Sequence, residues 1–279
     1  MALVKADFFS ESLMRTVSIQ ALIPVDKIEV GKERIKEKRA YKTLYLLHGI
    51  FGNHTDWVCG TRIQRWAQDH DLAVIMPSGE NKFYVDNEKS HEYYSRFIGE
   101  ELVEVTRQLF PLSLKREDTF IAGLSMGGYG AIINGLKYYE TFGYIAGLSS
   151  ALMIDQFVDA KDGNDVEYIY KRSYLESVFG DLNQLVGSDK DYRTLILRLK
   201  NKNDIHMYMA CGVDDFLIEE NRNYRDFLNK HHIDLTYEEG PGAHEWDFWD
   251  HYIYKVLQWL PLLEKNEGIS SGHVSETSQ

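Results

Sequence analysis

The sequence predicts an α/β fold with a mostly parallel central sheet flanked by helices. Three observations point there: short apolar runs alternate with longer amphipathic ones, several short runs are almost continuously apolar, and loops bearing glycine and polar residues follow them. A strand covered on both faces has no polar side, so near-continuous apolarity is its mark. Strands are expected at 17–23, 43–47, 72–76, 119–122, 144–148, 205–210 and 233–237. The segment 6–23 is hairpin-like and is expected to form an antiparallel edge. Helices are expected at 61–70, 92–110, 128–139, 218–230 and 246–260. In 92–110, Phe97, Leu102, Val105 and Leu109 recur at helical spacing. The stretch 150–203 breaks the rhythm, with helical fragments at 166–175 and 192–199 but no clear strand. A structureless loop of that length is uncommon in a compact domain, so it reads as a helical insertion capping the sheet. One domain is expected over 1–264, with a solvated charged turn at 31–39 and a polar, Ser-rich, disordered tail at 265–279.

Composition narrows the function. With 31 basic and 43 acidic residues the net charge is −12, which argues against nucleic acid, because phosphate binding needs a concentrated positive face. The 18 Tyr, 13 Phe and 5 Trp supply a sizeable core and exclude a mainly disordered chain. No apolar run approaches the ~18–20 residues of a membrane span. Residues 1–7 lack the basic end and apolar middle of a signal peptide. Cys59 and Cys211 lie far apart and fit a reduced compartment. A soluble cytoplasmic protein with no membrane partner is the expectation. No metal or cofactor is expected: there is no HExxH or CxxC, and Asp155, Asp159, Asp162 and Asp165 lack the spacing of a calcium loop and read as a solvated face.

The chemistry-bearing residues lie in four loops, 49–57, 123–127, 212–216 and 240–245, each after an expected strand. In an open parallel sheet the carboxyl ends of the strands share one crevice. Gly123-Leu-Ser125-Met-Gly127 is a G-x-S-x-G, weak alone but set between an apolar strand and a helical run. That setting suits a nucleophile elbow, where side chains two before and two after the serine would clash. The ordinary alternative is a small-residue turn with a capping serine. A serine hydroxyl needs a base, and histidine can accept and return its proton. Among ten histidines, His244 stands in a loop between the last strand and the aromatic final helix. His206 falls in a strand and reads as a satisfied core residue, and His48 alternates into a strand edge. An acid must hold the base in its tautomer. Gly212-Val-Asp214-Asp215 offers two, with Asp215 preferred over Asp214. A developing oxyanion needs preorganised donors; the backbone N–H groups of Met126 and Ile50 are the candidates. Trp57, Tyr94, Trp246 and Trp249 flank these loops as candidate pocket walls, the commoner alternative for aromatics near a helix start being burial in the core.

The order Ser, Asp, His is that of the α/β-hydrolases. Leu46-Leu-His-Gly-Ile-Phe-Gly-Asn, Ala122-Gly-Leu-Ser-Met-Gly-Gly-Tyr-Gly-Ala and Gly242-Ala-His-Glu-Trp resemble the putative-esterase family of that fold over roughly residues 5–262, and look closest to its tributyrin-esterase branch. The resemblance implies an α/β-hydrolase fold and a serine carboxylesterase acting on short acyl esters. It places the catalytic residues on Ser125, Asp215 and His244, the oxyanion donors on Ile50 and Met126, and the partner as a small ester. It also implies alternatives: S-formylglutathione hydrolase, feruloyl or acetyl-xylan esterase, an acyltransferase to an alcohol or sugar, or a non-catalytic module of the same fold. Members of the formylglutathione branch carry a cysteine shortly after the oxyanion glycine and a histidine where Tyr129 stands; this chain has neither. Relatives often associate, so a homo-oligomer is within what the resemblance implies.

Overall fold

The structure, a computed structural model, describes residues 1–27 and 40–262. The expected turn at 31–39 and the tail 265–279 lie outside the described residues. Eight strands form one sheet: β1 (Ala2–Ser10), β2 (Arg15–Ile23), β3 (Thr43–Leu47), β4 (Ala73–Pro77), β7 (Thr119–Leu124), β8 (Tyr144–Leu148), β9 (His206–Gly212) and β10 (Asp234–Gly240). Their order is β1-β2-β4-β3-β7-β8-β9-β10, and a small hairpin of β5 (Asp86–Asn87) and β6 (Glu92–Tyr93) stands apart. From β4 to β10 every pairing is parallel, while β2 runs antiparallel to both β1 and β4. The expected antiparallel edge is present and reaches back to Ala2. Along β1 exposure alternates, with Val4, Ala6 and Phe8 packed inward and Leu3 and Phe9 turned outward. That period of two marks a strand covered on one face only.

The inner strands are buried on both sides. Leu44 and Leu46 of β3 join a core built with Trp66 and the last helix, Trp246–Trp259, while Tyr45 and Leu47 join the opposite core with the helix Met126–Lys137. Each apolar strand thus serves two layers, which is why its sequence shows no polar side. After β3 the chain moves to one side to make β4, then returns across β3 to make β7. Loops leaving β3 and β7 therefore part at this reversal, where an open α/β sheet forms its crevice.

Two expectations need correction. Residues 94–109 do form a helix, but Phe97–Glu101 winds as a π turn. The wider turn shifts the phase, so Leu102, Val103 and Thr106 face the core and Leu109 is turned out to solvent. His206 is satisfied but is no core residue: it starts β9, pairs with Asp234 at 2.6 Å and stacks on Tyr144, with its side chain about a third exposed. Residues 150–203 hold no strand and several short helices, Ile154–Val158, Arg172–Phe179 and Tyr192–Arg198 among them. The acidic residues there make local bonds: Asp155 grips the Arg193 guanidinium with both oxygens, and Asp162 accepts from the Ser173 N–H and hydroxyl.

Candidate active site

Ser125 stands between β7 and the helix Met126–Lys137 with φ of 55° and ψ of −119°, a backbone that L-residues rarely adopt. The strand and helix hold it there: its N–H donates to Leu148 O, and its carbonyl accepts from Tyr129 and Ala151. The turn is as tight as the glycine spacing implies. A Cβ on Gly123 would lie 2.2 Å from the carbonyl oxygen of Gly127, and one on Gly127 would lie 2.4 and 2.5 Å from those of Leu47 and His48. These neighbours are backbone and cannot swing aside. Gly127→Ala is therefore expected to cost about 1–3 kcal/mol of stability or more, as overpacking does, and to displace the serine. A lowered Tm with a depressed kcat is the expected measurement.

The carboxyl ends of the strands are in register, Leu47 with Gly123, Leu124 with Leu148, Leu148 with Ala210, and Gly212 with Gly240. This alignment brings the loops after β7, β9 and β10 together. The His244 imidazole meets the Ser125 hydroxyl through Nε2 at 3.0 Å, and its Nδ1 lies 2.9 and 3.2 Å from the two carboxylate oxygens of Asp215. Asp215 is buried, whereas Asp214 is exposed, its N–H bonded to the Gly242 carbonyl. Of the two candidates, Asp215 is the one in reach of the imidazole. Burial opposes its charge, but hydrogen bonds from His244 and the Leu217 N–H, the attraction of His244 and the Ser149 hydroxyl outweigh that, holding its pKa below the ordinary aspartate value. Ser149 also accepts from the Trp249 indole N–H at 3.2 Å. The Trp249 ring stands edge-on to His244, and the largely exposed Phe216 packs against the imidazole with ring centres 4.7 Å apart.

Ile50 and Met126 both line the cavity beside Ser125. Met126 opens its helix, where a backbone N–H has no intrahelical acceptor. His48 acts on the neighbouring turn. Its Nε2 accepts from the Gly79 N–H at 2.8 Å, so Nδ1 carries the proton and donates to the Gly49 carbonyl at 2.6 Å. Burial pushes the pKa of this imidazole down, keeping it in the neutral form that can play both parts. The Gly49 carbonyl and the Ile50 N–H share one rigid peptide plane, so the bond aims that N–H.

The cavity has a volume of about 750 Å³. Trp246 and Trp249 line it, as do Phe51, Phe83, Met153, Phe157, Ile169, Tyr170 and Phe216. The expectation fails for two residues. Trp57 is buried behind Trp246, ring edge to face at 5.8 Å, with its N–H on the Leu47 carbonyl. Tyr94 is buried in the helix that begins after β6, where its hydroxyl takes a bond from Arg15. Neither lines the cavity. Sequence reasoning missed the walls from residues 150–170, since no motif marks Met153, Phe157 or Ile169. Phe51 and Phe216 carried a signal, because each sits in a loop already singled out. Among the described residues no group of three or more His, Cys, Asp or Glu side chains could hold a metal, and no helix is long and apolar enough to cross a membrane.

Known proteins bear on this arrangement. The family model described as "Putative esterase" matches residues 10–260. The chain belongs to that family. Within it, the acetyl esterase of Caldicellulosiruptor saccharolyticus is 48% identical over 263 residues, covering 93% of this chain and 98% of the relative. Among solved structures, the fluorophosphonate-binding serine hydrolase FphF of Staphylococcus aureus superposes with a TM-score of 0.80 at 29% identity. The S-formylglutathione hydrolase FrmB of the same organism gives 0.77 at 28%. Each alignment covers 93% of this chain and 98% of the other. The fold is that of the α/β-hydrolases, and the esterase is a serine hydrolase acting on carboxylic ester bonds.

Proposed function

We propose that this esterase hydrolyses short-chain acyl esters through Ser125, His244 and Asp215, with the Ile50 and Met126 N–H groups binding the oxyanion. The observation that carries the reading is the unbroken line from the Asp215 carboxylate through His244 to the Ser125 hydroxyl, ending in the cavity. Ser125 Oγ attacks the ester carbonyl as its proton passes to His244 Nε2. The carbonyl oxygen becomes an oxyanion between the two N–H donors. His244 returns the proton to the departing alkoxide, the C–O bond breaks, and an acyl-Ser125 ester remains. Water then attacks that ester, giving its proton to His244; the acyl–Oγ bond breaks as His244 returns the proton to Ser125 Oγ, and the carboxylic acid leaves. Asp215 stays ionised throughout, fixing the Nδ1–H tautomer and stabilising the imidazolium.

Charge in the cavity supports a neutral ester over S-formylglutathione. Asp56, Glu167 and Glu245 line it, and among the described residues no lysine or arginine does. S-formylglutathione brings two carboxylates against one ammonium, a net negative charge, into that field, a like-charge juxtaposition that a recognition site avoids. The acetyl esterase at 48% identity points the same way. A hydrolysis panel tests this reading. The kcat/KM for p-nitrophenyl acetate, propionate and butyrate is expected to exceed that for S-formylglutathione by at least about tenfold at low salt, with the gap narrowing as salt screens the rim. Equal or better turnover of S-formylglutathione would overturn it.

A further inference from the structure

The turn carrying Ile50 is braced from outside by the loop that follows β4. Ser78 Oγ accepts from the His54 N–H at 3.2 Å and pairs with His54 Nδ1 at 2.8 Å. The Gly79 N–H holds His48, and the Asn81 side-chain oxygen accepts from the Phe51 N–H at 2.8 Å. Phe51 needs that hold. Its φ is 68°, a disfavoured conformation for a bulky residue unless its surroundings impose it. The two braces act on opposite sides of Ile50. His48 fixes the peptide plane before it through the Gly49 carbonyl, and Asn81 fixes the plane after it through the Phe51 N–H.

Asn81 also faces the other way. Its backbone carbonyl accepts from the Tyr174 hydroxyl at 2.7 Å, and Tyr174 lies on the helix Arg172–Phe179 of the 150–203 region. The Phe51 ring packs on Tyr168 from the same region at 5.9 Å. That region supplies Glu167, Ile169 and Tyr170 to the cavity wall.

We propose that Asn81 is a positioning residue for the oxyanion turn, and that through Asn81 the 150–203 region sets how well that turn is aimed. The proposal rests on the reading of Ile50 as an oxyanion donor. A donor displaced by about 1 Å loses on the order of 100-fold in rate, so losing one brace of two is expected to lower kcat by roughly 10- to 100-fold. Asn81→Leu keeps the shape and removes the acceptor, while Asn81→Asp keeps an acceptor. Expected with p-nitrophenyl acetate are a kcat loss of that size for Asn81→Leu with KM within about threefold, and a smaller loss for Asn81→Asp. A trifluoromethyl ketone, which forms a tetrahedral oxyanion on the serine, should weaken in parallel with kcat/KM, while its methyl ketone counterpart should not. Tyr174→Phe, which leaves the turn untouched, should lower kcat several-fold without moving KM. Wild-type kcat in Asn81→Leu, equal losses in the Leu and Asp variants, or a change confined to KM would overturn the role of Asn81. Wild-type kcat in Tyr174→Phe would overturn the link to the 150–203 region. If Asn81→Leu does not fold, Asn81→Ala, which also removes the acceptor, takes its place with the same expected loss and the same overturning results. An active Ser125→Ala enzyme would instead overturn the catalytic reading itself.

Discussion

Ser125→Ala is expected to abolish hydrolysis of p-nitrophenyl acetate while the protein folds as before. The loss expected is on the order of 10⁴- to 10⁶-fold, because in the proposed mechanism this residue supplies the atom that bonds to the substrate. The fold should not notice. The Ser125 side chain bonds to His244 across the site, while the strained backbone is held by main-chain bonds to Leu148, Tyr129 and Ala151 that alanine keeps. Circular dichroism and Tm are the controls, and loss of labelling by a fluorophosphonate is the companion measurement. Activity within tenfold of wild type would remove Ser125 from the mechanism.

The second large effect separates two adjacent carboxylates. Asp215→Asn should lower kcat by about 10⁴-fold, while Asp214→Asn should stay close to wild type. An amide at 215 can turn an N–H toward His244 Nδ1 and so favour the tautomer whose Nε2 already carries a proton, useless as a base. Asp214 is exposed and outside the relay, so its charge is screened by solvent. Because the pKa of Asp215 lies below the ordinary value, the stability its charge contributes is present above the unfolded aspartate pKa and is lost only as pH falls through the depressed folded value. Asp215 therefore keeps its charge on mild acidification, and discharge of this carboxylate does not account for any loss of rate there. Equal losses in both variants would mean that the acid has been misassigned.

Much of this architecture is legible in the residues because inner strands must be apolar on both faces. The runs at 43–47 and 144–148 coincide with β3 and β8. The elbow is legible for a related reason: a turn that tight leaves room only for glycine at 123 and 127. What escaped was whatever depends on distant packing. A π turn carries no mark in the sequence, so Leu109 was expected on the buried face and lies outside. Four aromatics near the site loops look alike as letters, yet Trp246 and Trp249 face the cavity while Trp57 and Tyr94 are covered by their neighbours. His48 looked like a strand-edge residue, and its two hydrogen bonds to backbone become visible only once Gly79 folds back beside it.

The pairing of β9 with β10 carries one more implication. Those strands form one of the two border ladders of the sheet, and their exits are stitched together by the Val213 N–H on Gly240 and the Asp214 N–H on Gly242. Asp215 and His244 ride on those exits, whereas Ser125 sits on an interior strand. On the proposed roles, fraying of this border would withdraw acid and base in a single event and leave a quiescent hydroxyl in place of a half-assembled relay.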